Sequence, residues 1–244
     1  MKFHDTDIWI FDLDNTLYPP ETALFSQIEA RMTDYVMRLL AVDHARADLL
    51  RRDYWRQHGT TLAGLMAEHG IDAAAYLAEV HDLDFSGLAP DPDLAAAIAA
   101  LPGRKIIHTN VDSTYARRVL AARGLIAPAM PDSKAVALFE AIYGIEETGF
   151  RPKPLAEAFD AVLTACGADP RRAAFFEDDP RNLEIPHALG MQTVLVGPGR
   201  IGPDALADDC DHGPHVHHRT NDLAGFLRAI ANGGATGQNG GGTR

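Results

Sequence analysis

Four consecutive bulky apolar residues, Ile8, Trp9, Ile10 and Phe11, run directly into Asp12 and Asp14. A strand that is apolar at every position must be covered on both faces, which is the condition of an interior strand in a parallel sheet. In folds that provide such cover, ligands bind outside the carboxyl ends of the strands. Two acids left there, with Asn15 and Thr16 behind them, serve either chemistry or the capping of a turn. The remainder of the chain decides between these roles.

From Thr22 to about Leu83 the pattern is helical throughout. Phe25, Ile28, Met32, Val36 and Leu39 mark one helix face, with Thr22 as its expected N-cap. Further helices are predicted over 45–57, 62–69 and 73–80, punctuated by Gly59 and Gly70. About 65 helical residues between one strand and the next far exceed an ordinary crossover, so they read as an inserted helical domain. Beyond Pro90-Asp91-Pro92, strand and helix alternate. Strands are expected at 104–108, 141–143, 173–176 and 193–196, and helices at 94–101, 113–123, 155–166 and 181–189. Such alternation predicts an α/β fold with a parallel sheet and right-handed crossovers. The division expected is a core of residues 1–18 and 88–231, the helical insertion at 19–87, and a Gly- and Asn-rich disordered tail at 232–244.

Charge narrows the partners. A net charge of −12 over 244 residues argues against a nucleic-acid polymer, whose binding leans on Lys and Arg. It leaves room for a small phosphorylated metabolite, which needs only a local positive site. The two cysteines form neither a disulfide framework nor a zinc cluster. No apolar run approaches the roughly 20 residues of a membrane helix, and the N-terminus shows no signal-peptide pattern. The expectation is a cytoplasmic protein with no membrane partner; its oligomeric state is open.

Polar clusters follow three of the predicted strands: Asp12/Asp14/Thr16, Thr109/Asn110 and Glu177/Asp178/Asp179. A fourth piece, Arg151-Pro152-Lys153-Pro154, precedes a helix. Acids from two strands can share one hard divalent cation such as Mg²⁺, which takes oxygen ligands. A carboxylate beside such an ion can attack phosphorus, and a second acid can protonate the leaving oxygen and then activate water. Thr109, Asn110 and Lys153 would hold the phosphoryl oxygens. Bland readings stand beside these. Thr109-Asn110 can simply cap the helix near Asp112, and that role is compatible with anion binding. Arg151 and Arg181 read more readily as solvated charges, and Tyr54, Trp55 and His58 as helix packing. His212, His215, His217 and His218 lie in a Gly- and Pro-rich stretch with no regular element to fix metal geometry, which weighs against a metal site there.

Taken in order, the four pieces resemble the motifs of the haloacid dehalogenase (HAD) superfamily of Mg²⁺-dependent phosphohydrolases. Asp12-x-Asp14-x-Thr16 matches the first, Thr109 the second, Lys153 the third, and the acids within Glu177-Asp178-Asp179 the fourth. Phe11 to Pro19, Tyr54 to Leu65, His81-Asp82-Leu83-Asp84, Pro90-Asp91-Pro92 and Pro180-Arg181-Asn182 are similar to the pyrimidine 5′-nucleotidase branch. The resemblance implies a Rossmann-like core with a helical cap inserted after the first strand, hydrolysing small phosphomonoesters, with nucleoside monophosphates as the expected class, through an aspartyl-phosphate. It implies Asp12 as nucleophile, Asp14 as general acid and base, and Thr16 as loop support. Thr109, Asn110 and Lys153 are the implied phosphate contacts. Asp12, Asp14 and Asp178 are the implied metal ligands, with Glu177 a further candidate and Asp179 a residue orienting Lys153. A phosphatase or phosphomutase for a sugar phosphate or other small metabolite, a haloacid dehalogenase and a non-catalytic binding protein are the alternatives. Departures are Val111 and Tyr115, where the branch has Gly and His, and extra length over 126–137.

Overall fold

In the computed structural model, residues 3–22, 24–126, 138–197 and 213–233 are described. Six strands form one parallel sheet: β1 (Ile8–Phe11), β2 (Arg104–His108), β3 (Ala141–Tyr143), β4 (Ala173–Glu177), β5 (Gln192–Val196) and β6 (His218–Thr220), in the order β3-β2-β1-β4-β5-β6. β1 sits between β2 and β4, with Phe11 level with Ile107 on one side and Phe176 on the other. All four of its residues are buried. The chain leaves β1 toward β2 and later returns to its opposite side at β4, so β1 marks the point where a ligand crevice opens.

Alternate residues of β1 serve opposite faces. Trp9 and Phe11 pack with Phe176, Ile98, Val119 and Leu227, and so bury helices α5 (Pro92–Ala100), α6 (Ser113–Ala122) and α9 (Leu223–Ala231). Ile8 and Ile10 pack with Phe159, Val162, Phe175 and Leu183, burying α7 (Ala156–Cys166) and the short α8 (Glu184–Ala188). An open parallel α/β fold results, as the alternation of strand and helix predicts.

The helical stretch becomes α1 (Leu24–Leu40), α2 (His44–His58), α3 (Thr61–His69) and α4 (Ala73–Val80). Each break has a local cause. Asp43, Thr60 and Asp72 accept from the backbone N–H three residues on, and Gly59 and Gly70 close α2 and α3 at positive φ. Val36, Ala47, Tyr54, Leu65, Tyr76 and Val80 form a separate apolar cluster, to which the α/β part contributes Ile145. Thr22 does not cap α1. It ends a short 3₁₀ turn, Pro20–Thr22, because Pro19 and Pro20 tighten the chain before the helix begins.

The strand β6 and helix α9 have no counterpart among the predicted elements. β6 is a three-residue polar edge strand, and the histidines around it are structural. His217 Nδ1 lies 2.9 Å from Thr193 Oγ1, and the His218 ring packs on Phe3 at 4.9 Å. His212, the extra length at 127–137 and most of the predicted tail, 234–244, lie outside the described residues.

Gly144 follows β3 where two backbones nearly touch. A Cβ there would meet Ser113 N and Val111 O at 2.7 Å each. Gly144→Ala is expected to displace the loop after β2 and cost roughly 1–3 kcal/mol, by analogy with overpacking. Denaturant unfolding, with phosphate release measured beside it, checks this; an unchanged midpoint and activity would contradict it.

Candidate active site

The turn after β1 presents its acids because Asn15 adopts φ 58°, a left-handed conformation that Asn tolerates better than most residues. Leu17 N closes the turn on Leu13 O at 2.9 Å. Asp12 and Asp14 then line one cleft of about 160 Å³, together with Thr109, Asn110, Lys153, Glu177 and Asp178 from the other motifs. Thr16 is buried beneath the turn with its hydroxyl unpartnered. Residues over 160 positions apart in the chain meet here, as Asn15 Nδ2 and Asp178 Oδ2 do at 3.4 Å.

Lys153 is the hub. Its side chain is 1% exposed, and Nζ donates to Asp12 Oδ1 at 2.7 Å, Glu177 Oε2 at 2.7 Å and the His108 carbonyl at 3.1 Å. An ammonium has three protons, and all three have acceptors. Lys153 therefore aims and neutralises Asp12 in this state. Burial alone would push its pKa down, but Asp12 and Glu177 more than reverse this, so it stays charged.

Around that single cation stand three carboxylates. Oxygens of Asp12, Glu177 and Asp178 lie within 4.8 Å of one another, and they are the group of potential metal ligands found among the described residues. Burial and then Glu177 push the Asp12 carboxyl up to about 8, and the same two causes raise Asp178 well above the usual carboxylate range. A buried surplus of negative charge on hard oxygen donors fits a divalent cation.

Several assignments change in detail. Asp179 does not orient Lys153; Glu177 does, because β4 extends one residue further than predicted and carries Glu177 inward. Asp179 instead caps the following 3₁₀ turn and pairs with Arg181 at 2.7 Å. Arg181 is no simple solvated charge, since its guanidinium lies 3.6 Å over the Trp55 ring of α2. Asn110 is tied to the backbone of Lys153, with Oδ1 accepting from Lys153 N at 2.8 Å and Nδ2 donating to Lys153 O at 3.1 Å. Its amide fixes the lysine backbone, and Asn110 still lines the cleft with a second Nδ2 proton not used in that clamp. Thr109 is buried at the cleft, with Oγ1 only weakly engaged by Val111 N at 3.4 Å.

Asp14 stands apart from the three-acid group. Its Oδ1 accepts from Tyr18 Oη at 2.7 Å and Tyr115 Oη at 3.1 Å. The motif assigned Asp14 to the metal; its carboxylate instead lies among phenols, since the turn after β1 brings Tyr18 back to it and α6 brings in Tyr115. Burial raises its pKa, and the two hydroxyls only partly offset this. His81 adds to this side. It stacks on Tyr115 at 4.4 Å, its Nδ1 lies 2.5 Å from Asp112 Oδ2, and it lines the cleft. The Tyr115 departure was the sequence signal for this arrangement; Tyr18 and the His81–Asp112 pair left none strong enough to read.

A match to the family described as haloacid dehalogenase-like hydrolases extends over residues 6–190. The chain belongs to that family. Among solved structures it is similar to L-2-haloacid dehalogenase from Xanthobacter autotrophicus with chloropropionic acid covalently bound (16% identity, covering 92% of this chain and 98% of that one, TM-score 0.54). It is also similar to CbbY from Rhodobacter sphaeroides in complex with phosphate (16% identity, 90% and 95% covered, TM-score 0.60). A third is the HAD-hydrolase YfnB from Bacillus subtilis bound to magnesium (17% identity, 92% and 98% covered, TM-score 0.53). At such identities the likeness is one of fold. Among the described residues no helix is long and apolar enough to cross a membrane.

Proposed function

We propose that the chain is a Mg²⁺-dependent phosphomonoester hydrolase that works through an aspartyl-phosphate on Asp12, with nucleoside 5′-monophosphates as substrates. The observation that carries this reading is that Asp12 and Asp14 share one cleft yet have separate partners. Asp12 is aimed by a lysine, as a nucleophile needs, while burial raises the Asp14 carboxyl toward holding a proton and two phenols fix its orientation, as a group that gives and takes a proton needs. A dehalogenase, whose leaving group is a halide, has no use for that second acid. In the family the chain belongs to, phosphate and magnesium appear in the names of structural neighbours, which is compatible with the reading and no more.

The steps assigned to the chain's own residues are these. An Asp12 oxygen attacks phosphorus in line with the ester oxygen, and the ester P–O bond breaks. Asp14 delivers a proton to the departing oxygen, then accepts one from the water that attacks the aspartyl-phosphate and releases inorganic phosphate. Thr109 and the loop after β2 hold phosphoryl oxygens, and Lys153 keeps Asp12 in position throughout. Asp12 and Asp178, with Glu177 beside them, would hold the Mg²⁺, which supplies charge neutralisation for the phosphoryl group when bound. We assign residues 19–87 as a cap over a core of 1–18 and 88–231, and its closure would exclude water during the reaction.

Phosphate release over a panel of UMP, CMP, purine nucleotides and sugar phosphates tests the proposal. UMP and CMP are expected to turn over fastest and EDTA to abolish the activity. Preference for a sugar phosphate would overturn the nucleotide assignment; chloride release from a haloacid in EDTA, without phosphatase activity, would overturn the chemistry.

Removal of the metal has a sign that follows from Asp12. Its carboxyl, ordinarily at 3.8, is raised to about 8, so the native state holds that proton more tightly than the unfolded chain. Stability from this site therefore falls as pH rises between those values. Metal-free protein is expected to melt at a lower temperature at pH 8 than at pH 6, and added Mg²⁺ to raise the midpoint more at pH 8. Thermal midpoints in EDTA and in Mg²⁺ check this. An equal Mg²⁺ effect at both pH values would contradict it.

A further inference from the structure

One carboxylate reaches Tyr115 by two routes. Asp112 caps α6, where its Oδ1 accepts from Tyr115 N at 2.8 Å, and its Oδ2 lies 2.5 Å from His81 Nδ1. An ionised carboxylate only accepts, so Nδ1 donates. The His81 ring then stacks on the Tyr115 ring, with centroids 4.4 Å apart and planes 26° from parallel. Asp112 thus fixes the backbone of Tyr115 directly and its ring through His81. Arg118, further along α6, donates from Nη1 to the His81 carbonyl at 3.0 Å and holds the histidine's backbone as well. Both rings are buried in close-packed surroundings, which leaves them little freedom to turn.

What this frame holds in place is a single oxygen atom. Tyr115 Oη donates to Asp14 Oδ1 at 3.1 Å, and Tyr18 Oη donates to the same oxygen at 2.7 Å. An oxygen that accepts from two donors has both lone pairs engaged. A proton on the Asp14 carboxyl therefore sits on Oδ2. The Tyr18 ring is buried as well, so both phenols reach Asp14 from the interior, while Asp14 itself lines the cleft.

We propose that His81 and Asp112 are positioning residues for Asp14: they lock Tyr115 so that it and Tyr18 occupy Oδ1, which leaves Oδ2 facing the cleft as the oxygen that gives and takes the proton. The proposal rests on the phosphomonoester reading and adds to it the atom that carries the proton and the residues that aim it. In the first step the Oδ2–H bond breaks as the proton passes to the ester oxygen, whose bond to phosphorus breaks. In the second, Oδ2 takes a proton from the water that attacks the aspartyl-phosphate. Were the Tyr115 ring free to swing, the carboxyl could rotate and turn its unprotonated oxygen to the leaving group. His81 directly follows α4, so the aim of the acid depends on the residue where the helical insertion returns to the α/β part.

Leaving groups separate the aim of the acid from the soundness of the fold. p-Nitrophenolate departs without a proton, whereas the alkoxide of an alkyl ester needs one. The acid therefore matters to kcat/KM, which covers the steps up to that departure, for the alkyl ester alone. The alkyl ester is UMP, or glucose 6-phosphate if the substrate panel prefers it. Tyr115→Phe keeps the stacked ring and loses the hydroxyl, and His81→Leu keeps bulk but frees the ring. Each is expected to lower kcat/KM for the alkyl ester by about 10- to 100-fold, the scale on which a misplaced catalytic group acts, and for p-nitrophenyl phosphate by about 3-fold or less. The double variant is expected to lose no more than Tyr115→Phe alone, because His81 acts through Tyr115. If His81→Leu does not fold, Asp112→Asn replaces it, since its carboxamide oxygen still caps α6. Equal losses on the two esters, or losses that multiply in the double variant, would overturn the positioning role and leave the phosphatase reading intact. Wild-type protein that releases phosphate from neither ester would sink the phosphatase reading, and this role with it.

Discussion

Asp12→Asn is expected to abolish phosphate release, with a loss of about 10⁴-fold or more, the scale on which removing a nucleophile acts. The carboxamide keeps the shape of the side chain, so the fold should persist. It can no longer attack phosphorus, and it removes one of the two carboxylates that Lys153 Nζ touches at 2.7 Å. It also lessens the crowding of charge with Glu177 and Asp178, so the variant is expected to be no less stable than the wild type in EDTA. Steady-state turnover and thermal unfolding on the same preparation check both halves. Retained turnover would remove Asp12 from the role of nucleophile.

Lys153→Met is the second large effect, and it acts on stability as much as on activity. The methionine fills much of the lysine's volume but takes away the cation between Asp12, Glu177 and the His108 carbonyl. Breaking a buried ion pair by removing one partner costs about 3–5 kcal/mol, because the charge left behind is uncompensated. Here two carboxylates are left behind, with Asp178 close by. The variant is expected to unfold at much lower denaturant concentration at pH 8, and to recover part of that loss in Mg²⁺ or at lower pH, where the acids take up protons. Urea midpoints at pH 6 and 8, each with and without Mg²⁺, measure it. A midpoint equal to wild type under all four conditions would show that Lys153 does not hold the cluster together.

Much of this was legible beforehand because it depends on local residue order. Ile8–Phe11 and Ala173–Phe176 are apolar at every position, which marks buried parallel strands without knowledge of their neighbours. Asp12, Asp14, Lys153 and the acids at 177–179 stand at strand ends in a fixed order, so their convergence could be anticipated. Their division of labour could not. Whether Glu177 or Asp179 meets Lys153 turns on one residue of strand length, and strand ends are the least certain part of such a reading. The clamp of Asn110 on Lys153 joins residues 43 apart, and the bond from Tyr115 to Asp14 joins residues 101 apart. Local sequence is silent on such pairs. The strand His218–Thr220 escaped notice because an edge strand of three polar residues has neither alternation nor an apolar run to betray it.

Isotope labelling in H₂¹⁸O distinguishes attack on phosphorus from attack on carbon. Water that hydrolyses an aspartyl-phosphate at phosphorus leaves its oxygen in the released phosphate. Water that hydrolyses an alkyl ester of Asp12, as dehalogenation requires, leaves it in the carboxylate. After repeated turnover of UMP with Mg²⁺ in labelled water, we expect ¹⁸O in inorganic phosphate and an unlabelled peptide spanning Asp12. Label accumulating in the Asp12 carboxylate during turnover, with none in phosphate, would contradict the proposed chemistry.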